Sequence, residues 1–293
     1  MWIDIVFSGG GVKGFAFPGA LHVLEQAGFR FKRAAGTSAG AITAALLAAG
    51  YTSVEMRHLM EQMDAGMLLD RQKRPSFSLF RWLNIYQHMG VDSGDSLEQW
   101  IEDALDQKNV HTFADIDRDR LKIIVTDVTR GRLVVLPDEL STYGIDAGTF
   151  SVAHAARMSA GLPFFFRPVP LNDAEGTCSL IVDGGLLSNF PLWIFDRDDG
   201  RPVRPFLGLQ TTSGIANAPR VINNATDLFK GIFSTMQDAF DEKTVEKLRD
   251  SNVIVIPINH VDTKNFSISM AEKQRLYRLG EDETKIFLKK WSY

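Results

Sequence analysis

The chain has 293 residues, 45% of them hydrophobic and 23% charged, with a formal net charge of −4. A slightly acidic chain without a basic cluster lacks the footprint of nucleic-acid binding, which rests on neutralising phosphates, and no apolar run approaches the roughly 18 residues of a spanning helix. Cys178 is the single cysteine, so an intrachain disulfide is excluded, and a core of this size needs no such staple. The opening MWIDIVF has no basic stretch ahead of a long apolar one, which predicts a soluble chain, cytoplasmic or peripheral to a membrane, without a removable signal.

Residues 3–8 (IDIVFS) form a continuous apolar run of strand length, and 20–28 (ALHVLEQAG) carry apolar residues at helical spacing up to Gly28. A weaker strand follows at 29–36, then a helix of small residues at 39–50 (AGAITAALLAAG). Strand, helix, strand, helix in so short a span predicts a parallel sheet covered by helices. Next come a polar helix at 53–64, an irregular aromatic stretch at 75–91, and a capped helix after Ser96. Residues 121–128 and 132–137 read as a strand pair turning at Arg130 and Gly131. Residues 151–163 look helical until Pro163, and 179–185 (SLIVDGG) form a buried strand that breaks at two glycines. The last third adds strands at 206–210 and 252–258 and helices at 220–249 and 270–290. No repeat or linker divides the chain, so residues 1–293 are expected to form one domain.

The first strand leads into GGGVKG at 9–14. A dinucleotide fingerprint would require an acidic residue ending the second strand, about 20 residues on. That strand ends in GTSAG instead, and the nearest acid, Glu25, lies within a helix. A nucleotide P-loop fails as well, because Lys13 precedes the last glycine and Phe15 follows it. GTSAG at 36–40 is G-x-S-x-G between a strand and a helix, the setting of a nucleophile elbow. Gly36 and Gly40 would let strand and helix meet across a tight turn that lifts the Ser38 hydroxyl into the open. The backbone N–H groups of Gly10 and Gly11, at the end of the neighbouring strand, suit the oxyanion formed when such a serine attacks an acyl carbonyl.

A serine nucleophile needs a base. Among the six histidines, His260 stands late enough in the chain for the order serine, acid, histidine. Too few strands precede Ser38 for that fold, however. Asp183, closing a buried strand and followed by Gly184 and Gly185, is the other candidate. Its apolar neighbours Leu180, Ile181 and Val182 would raise the proton affinity of a carboxylate that is otherwise a weak base.

Taken together, GGGVKG at 9–14, GTSAG at 36–40, SAGLP at 159–163 and DGG at 183–185 resemble the patatin-like phospholipase family, in order and over about residues 3–195. The resemblance implies a three-layer α/β/α sandwich around a mostly parallel sheet. It also implies a Ser–Asp dyad without histidine that hydrolyses acyl esters of lipids, with Ser38 as nucleophile, Asp183 as base and the Gly9, Gly10 and Gly11 backbone as oxyanion hole. Lys13 stands where arginine is frequent and Gly185 where alanine is common; neither change removes a catalytic group. No cofactor is expected, since no His/Cys/Asp cluster has metal-ligand spacing and no calcium loop appears.

The expected partner is a phospholipid or other lipid ester. Two candidates stand for its apolar entrance. FSLFRWLNIY at 77–86 mixes Phe77, Phe80, Trp82 and Tyr86 with Arg81, a composition that suits a membrane contact or a core equally, and PFFFRP at 163–168 is the second. A carboxylesterase or thioesterase acting on soluble esters, and a lipid-binding module without catalysis, are the other functions the same residues allow.

Overall fold

The computed structural model describes residues 1–63, 88–196, 203–212, 252–258 and 268–291, with isolated positions between 222 and 236. The aromatic stretch 77–86, His260 and most of the helix expected at 220–249 lie outside the described residues.

An eight-stranded, mostly parallel sheet is flanked by helices, as the α/β/α reading requires. β1 (Trp2–Phe7) pairs in parallel with β2 (Arg30–Thr37) on one side and with β9 (Phe206–Thr212) on the other, and β10 (Val253–Pro257) extends the sheet beyond β9. β2 pairs in parallel with β4 (Leu121–Asp127). β5 (Arg132–Leu136) and β8 (Cys178–Asp183) run antiparallel to β4, and β7 (Val169–Asn172) runs antiparallel to β8. Two short parallel strands, β3 (Gly90–Asp92) and β6 (Phe164–Phe166), form a separate ribbon. Arg157, almost wholly buried, ties that ribbon down by donating to the carbonyls of Ser93 and Arg167.

Alternation along β1 sets the two faces of the sheet. Ile3, Ile5 and Phe7 belong to the main core, whereas Val6 joins Ala35, Phe206 and Val253 against Phe190, Leu192 and Phe195. Full burial of a Val, Ile, Leu or Phe side chain such as these contributes about 1.5–3 kcal/mol relative to leaving it exposed.

The helices are α1 (Phe17–Gln26), α2 (Ala39–Ala48), α3 (Ser53–Gln62), α4 (Asp95–Asp106), α5 (Val152–Ser159) and α6 (Met270–Leu288). α2 is thin because Ala41, Ala44 and Ala45 are fully buried, so it packs close to β2 and β4. A 3₁₀ turn at Gly11–Ala16 precedes α1. α6 starts in a capping box made by Ser269 and Glu272 and lies across α1 and that turn. The approach is so close that a Cβ on Gly280 would stand 2.0 Å from the Ala16 carbonyl oxygen. Lys273 of α6 sits over the Phe15 ring, 5.3 Å from its centroid, and donates to the carbonyls of Met60 and Glu61 at 3.1 Å each and to that of Met63.

Candidate active site

Ser38 and Asp183 come together because of how β4 is shared. β5 occupies one edge of β4 from Ile123 to Asp127. β2, which pairs with Leu121–Ile124, and β8, which pairs with Val125–Asp127, must therefore lie on the opposite edge. One runs parallel to β4 and the other antiparallel, so their C-terminal ends face each other: Thr37 is opposite Ile124 and Asp183 opposite the next residue, Val125. Asp183 thus closes a strand that runs antiparallel to β4.

β2 cannot continue past Thr37 along an edge that Asp183 already holds. The chain turns out at Ser38, whose φ of 55° and ψ of −123° are a costly conformation for a residue with a side chain. The turn brings α2 back so tightly that a Cβ on Gly40 would stand 2.5 Å from the Ser8 carbonyl oxygen. Ser38 is left half-buried at the N-terminus of α2. Its N–H donates to the Ser159 hydroxyl at 2.9 Å, and that hydroxyl donates to the Ile124 carbonyl at 2.6 Å.

Asp183 is 3% exposed. Burial pushes its carboxyl up to about 7, against the opposing pull of the Gly185 N–H and of the Ser38 hydroxyl. The Gly185 bond to Oδ1 is 2.8 Å long. The Asp183 N–H donates to the Gly161 carbonyl at 3.0 Å, so the SAGLP segment holds both dyad residues by their backbones.

The glycine loop arrives beside them: a Cβ on Gly9 would lie 3.4 Å from that of Ser38. It would also lie 2.2 Å from Asn189 Oδ1, and one on Gly10 would lie 2.4 Å from Thr211 Oγ1, so a side chain at either position would have to displace these groups. The Gly9 N–H, expected to face an oxyanion, is spent on the Asn189 carbonyl at 2.9 Å. Among the described residues, the Gly10 and Gly11 N–H groups meet no acceptor, and both residues reach the surface.

Residues 184–189 connect the three motifs. Beyond the Gly9 bond, the Thr37 hydroxyl donates to the Ser188 carbonyl at 2.9 Å. On the far side of the loop, the Thr211 N–H donates to Ser8 Oγ at 3.1 Å. Ser159, Asn189 and Thr211 escaped the sequence reading of the site. Each acts on residues more than a hundred positions away, and only Ser159, within SAGLP, stood in a quoted motif.

Among the described histidines, His22 bonds to Ser53 and Gln26, His111 pairs with Asp106 and His154 with Glu98; none of these bonds reaches Ser38 or Asp183. A cavity of about 670 Å³ lined by Phe113, Leu121, Lys122 and Asp138 opens at the start of β4 and includes no dyad or glycine-loop residue.

The model of the family described as patatin-like phospholipase matches residues 5–196. YqhO of Bacillus subtilis (strain 168), an uncharacterized protein, is 44% identical over 297 residues, covering 100% of both chains. "Probable lipid hydrolase 463L" of Invertebrate iridescent virus 6 is 24% identical over 197 residues, which are 64% of this chain and 61% of its own. Among solved structures, VipD from Legionella pneumophila superimposes with a TM-score of 0.59 at 20% identity over 98% of this chain, which spans 66% of the VipD chain. With the family model extending over both dyad residues and the glycine loop, the chain belongs to the patatin-like phospholipase family.

Proposed function

We propose that this protein is a lipid acyl hydrolase working through Ser38 and Asp183. The observation that carries the reading is the end-to-end meeting of β2 and β8, which sets Ser38 beside a buried carboxyl whose proton affinity stands near neutrality. A base is most useful when its pKa lies near the working pH. Membership of a phospholipase family and the printed name of the viral relative support lipid esters as the substrate class.

In the proposed cycle Asp183 takes the Ser38 proton as Oγ attacks the ester carbonyl. The resulting oxyanion is held by the Gly10 and Gly11 N–H groups, each worth about 3 kcal/mol in the transition state. Asp183 returns the proton to the departing alcohol as the ester bond breaks, leaving an acyl group on Ser38. It then takes a proton from water, which attacks the acyl-enzyme and releases the fatty acid as Ser38 regains its hydrogen.

Incubation with phospholipid vesicles and, separately, with a short soluble ester tests the substrate class. Fatty acid is expected from the vesicles together with lysolipid. Turnover of the soluble ester alone would favour the esterase reading, and no turnover of either, the non-catalytic one.

The base assignment predicts a pH dependence. Asp183 must be ionised to accept a proton, so kcat/KM for a soluble ester is expected to rise with pH through a midpoint near 7, where its carboxyl titrates. A profile still flat at pH values where Asp183 is protonated would remove it from the role.

A further inference from the structure

We infer that Ser159 is a positioning residue for the proposed nucleophile: its hydroxyl fixes the elbow by accepting the Ser38 N–H while donating to Ile124. The inference rests on the Ser38–Asp183 reading and assigns a role to a side chain outside the dyad and the glycine loop.

Ser159 is the last residue of α5 and has no exposed surface. Both its bonds reach far along the chain, 121 residues to Ser38 and 35 to Ile124. Their polarity is forced. A backbone N–H only donates and a carbonyl only accepts, so the single hydroxyl hydrogen must point at Ile124, leaving an oxygen lone pair for Ser38. Ile124 lies where β2 and β8 meet end to end, opposite Thr37. Ser159 therefore references the nucleophile to the strand that also sets the level of Asp183, while two residues later the Gly161 carbonyl holds the Asp183 N–H.

Two consequences follow for the reaction. First, the Ser38 N–H is already engaged and is not an oxyanion donor. Second, a residue at φ 55° persists only where its surroundings over-determine it. Without the relay the elbow relaxes, and the Ser38 hydroxyl drifts from the carboxylate it must reach. A misplacement near 1 Å at a reacting group costs on the order of 100-fold in rate.

The test uses the full-length chain carrying Ser159→Ala, Ser159→Thr or Ser159→Val. Threonine keeps the hydroxyl, and valine has nearly the same shape without it, so comparing these two cancels the cost of added bulk. Each variant is read, well below its melting temperature, by the rate at which a fluorophosphonate labels Ser38 and by the pH profile on a soluble ester.

Alanine and valine are expected to slow labelling and kcat by roughly 100-fold with KM little changed, whereas threonine restores most of the rate. The Ser38 hydroxyl lowers the proton affinity of Asp183, so its drift away should move the acid limb of the two slow variants to higher pH. Equal rates for threonine and valine would overturn the inference, as would losses that track the unfolded fraction with the acid limb unmoved. Wild-type protein that no fluorophosphonate labels at Ser38 would instead overturn the dyad reading and take this inference with it.

Discussion

Ser38→Ala is expected to lower ester hydrolysis by about 10⁴-fold or more, since removing a nucleophile leaves only what binding and the oxyanion site contribute. Fatty-acid release by the purified variant is the measurement, and activity above a trace would refute the assignment. The fold should survive, because the side chain is half-buried at a surface turn and alanine inherits the same backbone conformation. Ser38→Gly separates strain from chemistry. Glycine adopts positive φ without the penalty of a Cβ, so this variant should be equally inactive yet more stable by about 1–3 kcal/mol, as read by thermal or urea unfolding. A site that gains stability when its reactive residue is deleted has the signature of strain retained for function.

Asp183→Asn should be nearly as inactive, by about 10³-fold or more, because the amide keeps the shape of the carboxylate but accepts no proton. Its effect on stability should run the other way and depend on pH. The folded-state pKa near 7 lies above that of an unfolded aspartate, so the native state binds the additional proton between about pH 4 and pH 7. The stability of the wild type therefore falls as pH rises through that window, and above it the buried charge is carried at full cost. Asparagine avoids the cost, while its carbonyl still accepts the Gly185 N–H. At pH 8 the variant is expected to be the more stable by on the order of 4 kcal/mol, a margin that closes toward pH 4. Urea unfolding of both proteins across that range provides the check; a margin independent of pH would show that Asp183 is not titrating near neutrality.

The two candidate residues, Ser38 and Asp183, were legible in the sequence for a local reason. A G-x-S-x-G between apolar runs and a D-G-G closing a third carry their backbone requirements in three to five letters. The relation between them was not local. SLIVDGG reads the same whether its strand runs parallel or antiparallel to its neighbour, so the end-to-end meeting of β2 and β8 on one edge of β4 could not be foreseen. Gly9 likewise looks no different in sequence from Gly10 and Gly11, and only the carbonyl of Asn189 separates it from them. β3 and β6, three residues each, are too short to show a period. The helix expected to run from 151 to Pro163 ends at Ser159, where the chain gives up helical bonding to serve Ser38 and Asp183.

α6 gives the limits of the family match a mechanical meaning. The family model ends at residue 196, yet the 3₁₀ turn that follows from the glycine loop is braced at Phe15 and Ala16 by Lys273 and Gly280, and the start of the loop at Ser8 by Thr211. The family model and the bracing thus have different boundaries. The proposed catalytic centre, excised at residue 196 for grafting into another protein, would arrive with Ser38, Asp183 and every signature glycine, but without the abutment that braces the turn beside them. Anything that pulls on the C-terminal helix, whether a fusion partner or a docking protein, has a short lever onto the oxyanion site.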